Sequence, residues 1–191
     1  AVTGTWSASA MTPGRSGMGA TAVGGKAMFA GGWNGLGSHD VVDIYDGGSD
    51  SWTTASLSQD RVSLAAATVG SRAFFGGGYR GDRARIRSDI VDIYDDATGL
   101  WSTASLSVPR SHLAATSVGT KVIFAGGCLT SSNIWDDSVF SDVVDIYDAA
   151  TDAWTTAQLS EPRNVLTATS VGKYAIFAGG GYSRGVAYVD I

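Results

Sequence analysis

The sequence predicts an all-β protein built from four copies of one four-stranded unit. Three observations carry that expectation: a sentence of about 50 residues that repeats in register, a composition poor in helix formers, and short alternating segments punctuated by glycine pairs. Composition comes first. Of 18 acidic residues only Glu161 is Glu, and of 13 basic residues only Lys26, Lys121 and Lys173 are Lys. Glu and Lys suit helix surfaces, whereas Asp, Gly, Ser and Thr belong to turns and strand ends. With 26 Gly among 191 residues, the chain is set against helices.

The repeat has four landmarks. Trp6, Trp52, Trp101 and Trp154 lie 46, 49 and 53 residues apart. Arg15, Arg61, Arg110 and Arg163 give the same intervals, and so do the glycine pairs ending at Gly32, Gly78, Gly127 and Gly180. "VDI" blocks begin at Val42, Val91, Val144 and Val189. The length variation is confined to the segment between Gly-Gly and "VDI", which holds 9, 12, 16 and 8 residues.

Each unit reads as four strands in order. "LAATSV" is small and apolar, fit for the crowded place where sheets converge. "KVIFAGG" is β-branched and aromatic and ends on the glycine pair. "VVDIYD" alternates, and "AWTTAQL" follows a turn rich in Asp, Thr and Gly. The spacing Tyr45–Trp52, Tyr94–Trp101 and Tyr147–Trp154 is seven residues each time, suited to two strands of a hairpin. Four strands in about 50 residues, repeated, is the mark of a propeller blade. The repeat units are drawn at about residues 6–51, 52–100, 101–153 and 154–191, within one domain spanning 1–191.

Gly-Gly, a variable loop, a Tyr and then a Trp seven residues later resembles the kelch repeat, in four copies covering nearly the whole chain. The resemblance implies a β-propeller, although kelch propellers more often have six blades. Three arrangements remain open: four blades closed by the N-terminal strand around Trp6, which would complete the last blade and cover exposed sheet edges, an arc of a larger ring, or a subunit that completes its ring by assembly.

The expected function is binding without catalysis. The resemblance implies that Arg15, Arg61, Arg110 and Arg163, at the entry to each innermost strand, ring the mouth of the central channel, where they would take anions or carboxylates with bidentate donors. The competing reading is that each Arg ties the repeat together through carbonyls or a "VDI" Asp. The variable loops differ in every copy on a constant frame, and function concentrates on such loops. Trp33, Tyr79, Trp135 and Tyr182 supply aromatic anchors of the kind enriched at interaction hot spots. Arg80, Arg83, Arg85 and Arg87 make one loop basic, and Asp136, Asp137 and Asp142 make the next acidic, so the two loops either neutralise one another or form a partner site. The partner expected is a protein or peptide, an acidic one suiting the Arg rim, with self-association a further expectation.

Other classes fit less well. A net charge of −5 lacks the basic footprint of a nucleic-acid binder. Apolar runs such as "YAIFA" are far shorter than the roughly 20 residues of a membrane-spanning helix. One cysteine, Cys128, excludes an internal disulfide, and two histidines leave the usual zinc sets out of reach, so no metal or cofactor is expected. The glycine pairs end strands rather than open helices, which removes the phosphate-cradle reading. A secreted saccharide-binding or galactose-oxidase-like propeller, and a structural ring fragment that assembles with itself, stand as the alternatives.

Overall fold

In a computed structural model, residues 4, 6, 8–81, 86–129, 139–181 and 188–191 are described; the loop residues Arg83, Arg85, Trp135, Asp136, Asp137 and Tyr182 fall outside them. The described residues hold strands and no helix. Blade 1 is β1 (Gly19–Val23), β2 (Lys26–Ala30), β3 (Val41–Asp46) and β4 (Ser51–Ser56). Blade 2 is β5 (Ala65–Val69), β6 (Arg72–Gly76), β7 (Ile90–Asp95) and β8 (Leu100–Ser105), and blade 3 is β9 (Ala114–Val118), β10 (Lys121–Ala125), β11 (Val143–Asp148) and β12 (Ala153–Gln158). Blade 4 is β13 (Thr167–Val171), β14 (Tyr174–Ala178) and the short β15 (Val189–Asp190). Strands within a blade are antiparallel and paired in chain order, which makes the molecule an all-β propeller of four blades.

The hairpin inferred from the Tyr–Trp spacing is present, with Tyr45 facing Trp52, Tyr94 facing Trp101 and Tyr147 facing Trp154 across β3–β4, β7–β8 and β11–β12. The rings are 5.2, 5.2 and 5.4 Å apart. Each Trp also lies 6.1–6.4 Å from the Phe of its own second strand, Phe29, Phe75 or Phe124. Such tilted pairs contribute beyond the area they bury.

The apolar core lies between blades. Met28, Ala30, Val42 and Ile44 of blade 1 meet Leu64, Ala73 and Phe75 of blade 2. Phe74, Val91 and Ala67 of blade 2 meet Val122, Phe124 and Tyr147 of blade 3. Ile123, Ala125 and Val144 of blade 3 meet Leu166 and Phe177 of blade 4. Alternation along a strand thus feeds two interfaces, one through each face. A single blade has no interior, and stability comes from stacking neighbours.

The glycine pairs make this stacking possible. Gly77 has φ +68°, and a Cβ there would come within 2.6 Å of the Arg110 carbonyl in the next blade. The amide of Gly78 donates to that same carbonyl at 2.9 Å. Gly31–Gly32 against Arg61 and Gly126–Gly127 against Arg163 repeat the arrangement. Here glycine is needed both for the left-handed backbone and for close approach.

The arc is open at its ends. The innermost strands pack in succession, β1 on β5, β5 on β9 and β9 on β13, and no comparable packing joins β13 to β1. Among the described residues the fourth sheet has three strands and Trp6 is 99% exposed, so the expected closing strand is not found among them. A closing strand beside β15 requires blade 1 to stand against blade 4, and β13 and β1 do not pack as the other innermost strands do.

Replacing Gly77 with Ala adds strain at a positive φ and a clash with backbone that cannot swing aside. Urea unfolding followed by circular dichroism should show a loss of at least about 2 kcal/mol, whereas Gly99→Ala, where a Cβ meets nothing within 4 Å, should lose less.

Candidate functional site

The chain enters each blade through its Arg. Arg15, Arg61, Arg110 and Arg163 have fully buried side chains, each paired with the "VDI" Asp of its own blade: Asp43, Asp92, Asp145 and Asp190. The guanidinium groups sit inside the blades rather than open at a channel mouth. Burial pushes Arg61 and Arg110 down from the usual arginine range while Asp92 and Asp145 push back. The other carboxylate oxygen holds the incoming linker, accepting the amides of Ser58 on Asp92, Ser107 on Asp145 and Ser160 on Asp190 at 2.8–2.9 Å.

These arginines also pin the variable loops. Nη1 of Arg61 donates to the carbonyls of Gly77 (2.7 Å) and Ile90 (2.6 Å), the two residues that flank the second loop. Arg163 spans Gly179 (3.2 Å) and Tyr188 (2.8 Å) in the same way. In blade 1, Nε of Arg15 donates to Gly31 at 2.8 Å. A backbone bond closes every loop base: Gly31 to Val41, Gly77 to Ile90, Gly126 to Val143 and Gly179 to Tyr188.

Above these bases lie Trp33 and Tyr79. Each is the first residue after its glycine pair and bridges two segments, Trp33 to Ser16 and Ser38, Tyr79 to Val62 and Arg87. Between them runs a groove of about 360 Å³, lined also by Gly17, Ser63 and Gly81. Gly81 carries the second loop across the indole: a Cβ there would fall 2.4 Å from the Trp33 ring. The Tyr79 ring stacks on His112 of the next blade at 5.7 Å, with the Arg87 guanidinium 5.0 Å from its centre. Arg80, half-exposed, pairs with Asp60 at 3.2 Å. The basic loop thus finds its described partners at Asp60, Tyr79 and the Cys128 sulfur, 3.7 Å from Arg87.

The position held by Trp33 and Tyr79 is occupied in the third copy by Cys128, fully buried and bridged to Ser111 and Phe140, and in the fourth by Gly181, whose amide donates to Asn164. Trp135, Tyr182 and Arg83 lie outside the described residues.

One feature of the groove floor was missed in the sequence. The carbonyl of Gly17 accepts the amide of Ser63, Ser63 that of His112, and His112 that of Val165, so one backbone bond links each blade to the next along the inner rim. All four residues have positive φ, from 52° to 67°. Such a conformation is uncommon for Ser and His and an outlier for the β-branched Val165. The signal available was Gly17 itself, standing two residues after Arg15 where the other copies have larger residues.

At the opposite end of each blade, the Asp that follows Tyr caps the turn into the fourth strand. Asp46 accepts the amides of Gly48 and Ser49, Asp95 that of Ala97, and Asp148 that of Ala150. Asp148, bound by Lys121 and Thr120, is held down at about 2. Asp46 and Asp95 are lowered too, first by the Gly48 amide and by the Ser71 hydroxyl respectively. Among the described residues no group of three or more His, Cys, Asp or Glu could hold a metal ion.

The fold and the pinned loops define a β-propeller whose blades present variable connections on a constant frame. A family model of the kelch motif matches residues 14–56, from the Arg15 entry to the end of β4. That match covers the first blade; blades 2 and 3 repeat its glycine corner, Tyr–Trp hairpin and Arg–Asp pair, and blade 4 repeats the Arg–Asp pair. A comparison with curated proteins finds none that matches the chain. Kelch propellers commonly serve as scaffolds for protein interaction.

Two outcomes follow. Arg61→Met strands the Asp92 carboxylate in the core, and unfolding experiments should show a loss of about 3–5 kcal/mol; the double change Arg61→Met, Asp92→Leu should recover part of it. The lowered Asp46, Asp95 and Asp148 stabilise the fold above the unfolded carboxylate value, near 3.9. That contribution drains as pH falls towards about 2. Melting temperature should drop over that window, and Asp148→Asn should make the drop shallower.

Proposed function

We propose that the chain binds a protein or peptide without catalysing a reaction, using the loops after the glycine pairs as its contact surface. The observation that carries this reading is the separation of constant and variable parts. Loop bases are closed by the same backbone bond in all four blades, while the loops differ in sequence and in length from 8 to 16 residues. Trp33 and Tyr79 are the anchors, half-buried on either side of one groove. Rings held by their neighbours lose little freedom on binding, which favours affinity.

The buried arginines serve the surface indirectly. The Nη donors of Arg61, Arg110 and Arg163 go to carbonyls and carboxylates inside the blades, so these side chains support the frame rather than touch a partner. Arg80, half-exposed beside Tyr79, favours an acidic segment in the groove. Arg83, Trp135 and Tyr182 are assigned to the same surface on their sequence position alone.

The test is selection of peptides from a random library on the immobilised chain. Trp33→Ala and Tyr79→Ala should each weaken the selected peptides about tenfold or more, with circular dichroism unchanged for Trp33→Ala. Binding that survives both changes, or that moves only with residues on the blade faces, would overturn the reading.

A further inference from the structure

The three interfaces between blades are built alike. Each has an apolar layer from both sides, and the first two add a charged tie at the outer end. Lys26 reaches Asp96 in the turn of blade 2 at 2.7 Å. Arg72 reaches the Tyr147 hydroxyl (2.6 Å) and Asp152 (3.2 Å) of blade 3. A Trp from the later blade's fourth strand wedges against the layer: Trp101 between blades 1 and 2, Trp154 between blades 2 and 3.

The two ends of the arc carry the halves of one more such interface. On blade 4, Val171, Tyr174 and Val189 stand exposed, in the strand positions that Val69, Arg72 and Val91 occupy against blade 3. On blade 1, Ala20 and Ala22 are exposed and Phe29 and Trp52 partly so, although their counterparts Phe75 and Phe124 are fully buried. One half of the outer tie is also present: Tyr45 donates to Asp50 at 2.7 Å, as Tyr147 does to Asp152 beside Arg72. At the far end Tyr174 stands where Arg72 does, exposed, with Lys173 over its ring.

The wedge is split as well. Among the described residues the interface between blades 3 and 4 lacks a Trp, and it holds a cleft of about 430 Å³, lined by Val118, Ile146, Ala175, Phe177 and Asp190. Trp6 precedes Arg15 by nine residues, as Trp52 precedes Arg61, so the repeat assigns it to the fourth strand of a preceding blade. It stands almost fully exposed.

We propose that the occupant of both ends is a second copy of this chain: blade 4 of each copy packs on blade 1 of the other, Tyr174 meets the partner's Tyr45–Asp50 pair, and Trp6 fills the partner's cleft. A contact between unlike surfaces that closes after two copies yields a ring rather than a filament. The proposal rests on the blade faces and stands whether or not the loops bind a peptide.

Light scattering on the 191-residue chain over a range of concentrations tests it. The expected mass is twice 19.6 kDa at high concentration, falling to one chain on dilution. Trp6→Ala and Val171→Asp, both at exposed positions, should raise the dissociation constant about thirtyfold or more. Tyr174→Asp, which sets a second carboxylate against the partner's Asp50, should weaken the pair likewise. A single-chain mass at every concentration overturns the proposal, including closure of Trp6 onto its own chain. So does a two-copy mass that none of these changes moves, or open-ended aggregation.

Discussion

Everything in the molecule hangs on one buried ion pair, repeated once per blade. The guanidinium of Arg61 touches Asp92, both flanks of a loop and the carbonyl of Phe75 in the second strand. A planar group with five donors in fixed directions can do this, and a lysine cannot. Asp92 in turn holds the amide of Ser58, so the linker arriving from blade 1 is registered against blade 2 before the innermost strand begins. The carbonyl of the same Arg61 then accepts from Gly32 of the preceding blade. One residue therefore fixes the linker, the loop base and the neighbouring corner. Arginine buys this geometry at the expense of desolvation, which is why its charge is held down and why its partner cannot be removed alone.

The architecture was legible because the repeat forces it. Four landmarks in register and a seven-residue Tyr–Trp spacing predict hairpins that the strand pairing reproduces residue for residue. The glycine pairs were read as permissive corners, and their contact with the next blade's Arg carbonyl gives the steric reason. The role of the arginines was visible only as two alternatives. A sequence shows that Arg and Asp recur at fixed spacing; whether the donors face solvent or the interior depends on where the loop carbonyls lie, and that emerges only when three strands and a linker converge.

Loops were harder. Trp33, Tyr79, Trp135 and Tyr182 stand out in the sequence, but only the first two directly follow a glycine pair, and Cys128 and Gly181 take that place in the other copies. With no periodicity inside a loop, the count from the glycine pair is the guide that leads to Cys128. Closure of the arc by the N-terminal strand was read from the phase of the repeat, which reports what each strand would do in a ring and not whether the ends of the arc meet.

Because blades touch only their neighbours, the propeller behaves as a one-dimensional array in which cooperativity must be passed along link by link. Its middle is bounded on both sides: Phe74, Phe75 and Phe124 are wholly buried, while most of β13 faces solvent. Opening fluctuations will then start at the outermost blade and work inward, giving a gradient of amide protection along the chain instead of a single melting unit. Ser63, His112 and Val165, each at positive φ, carry the backbone bond that such an opening must break as it passes from one blade to the next.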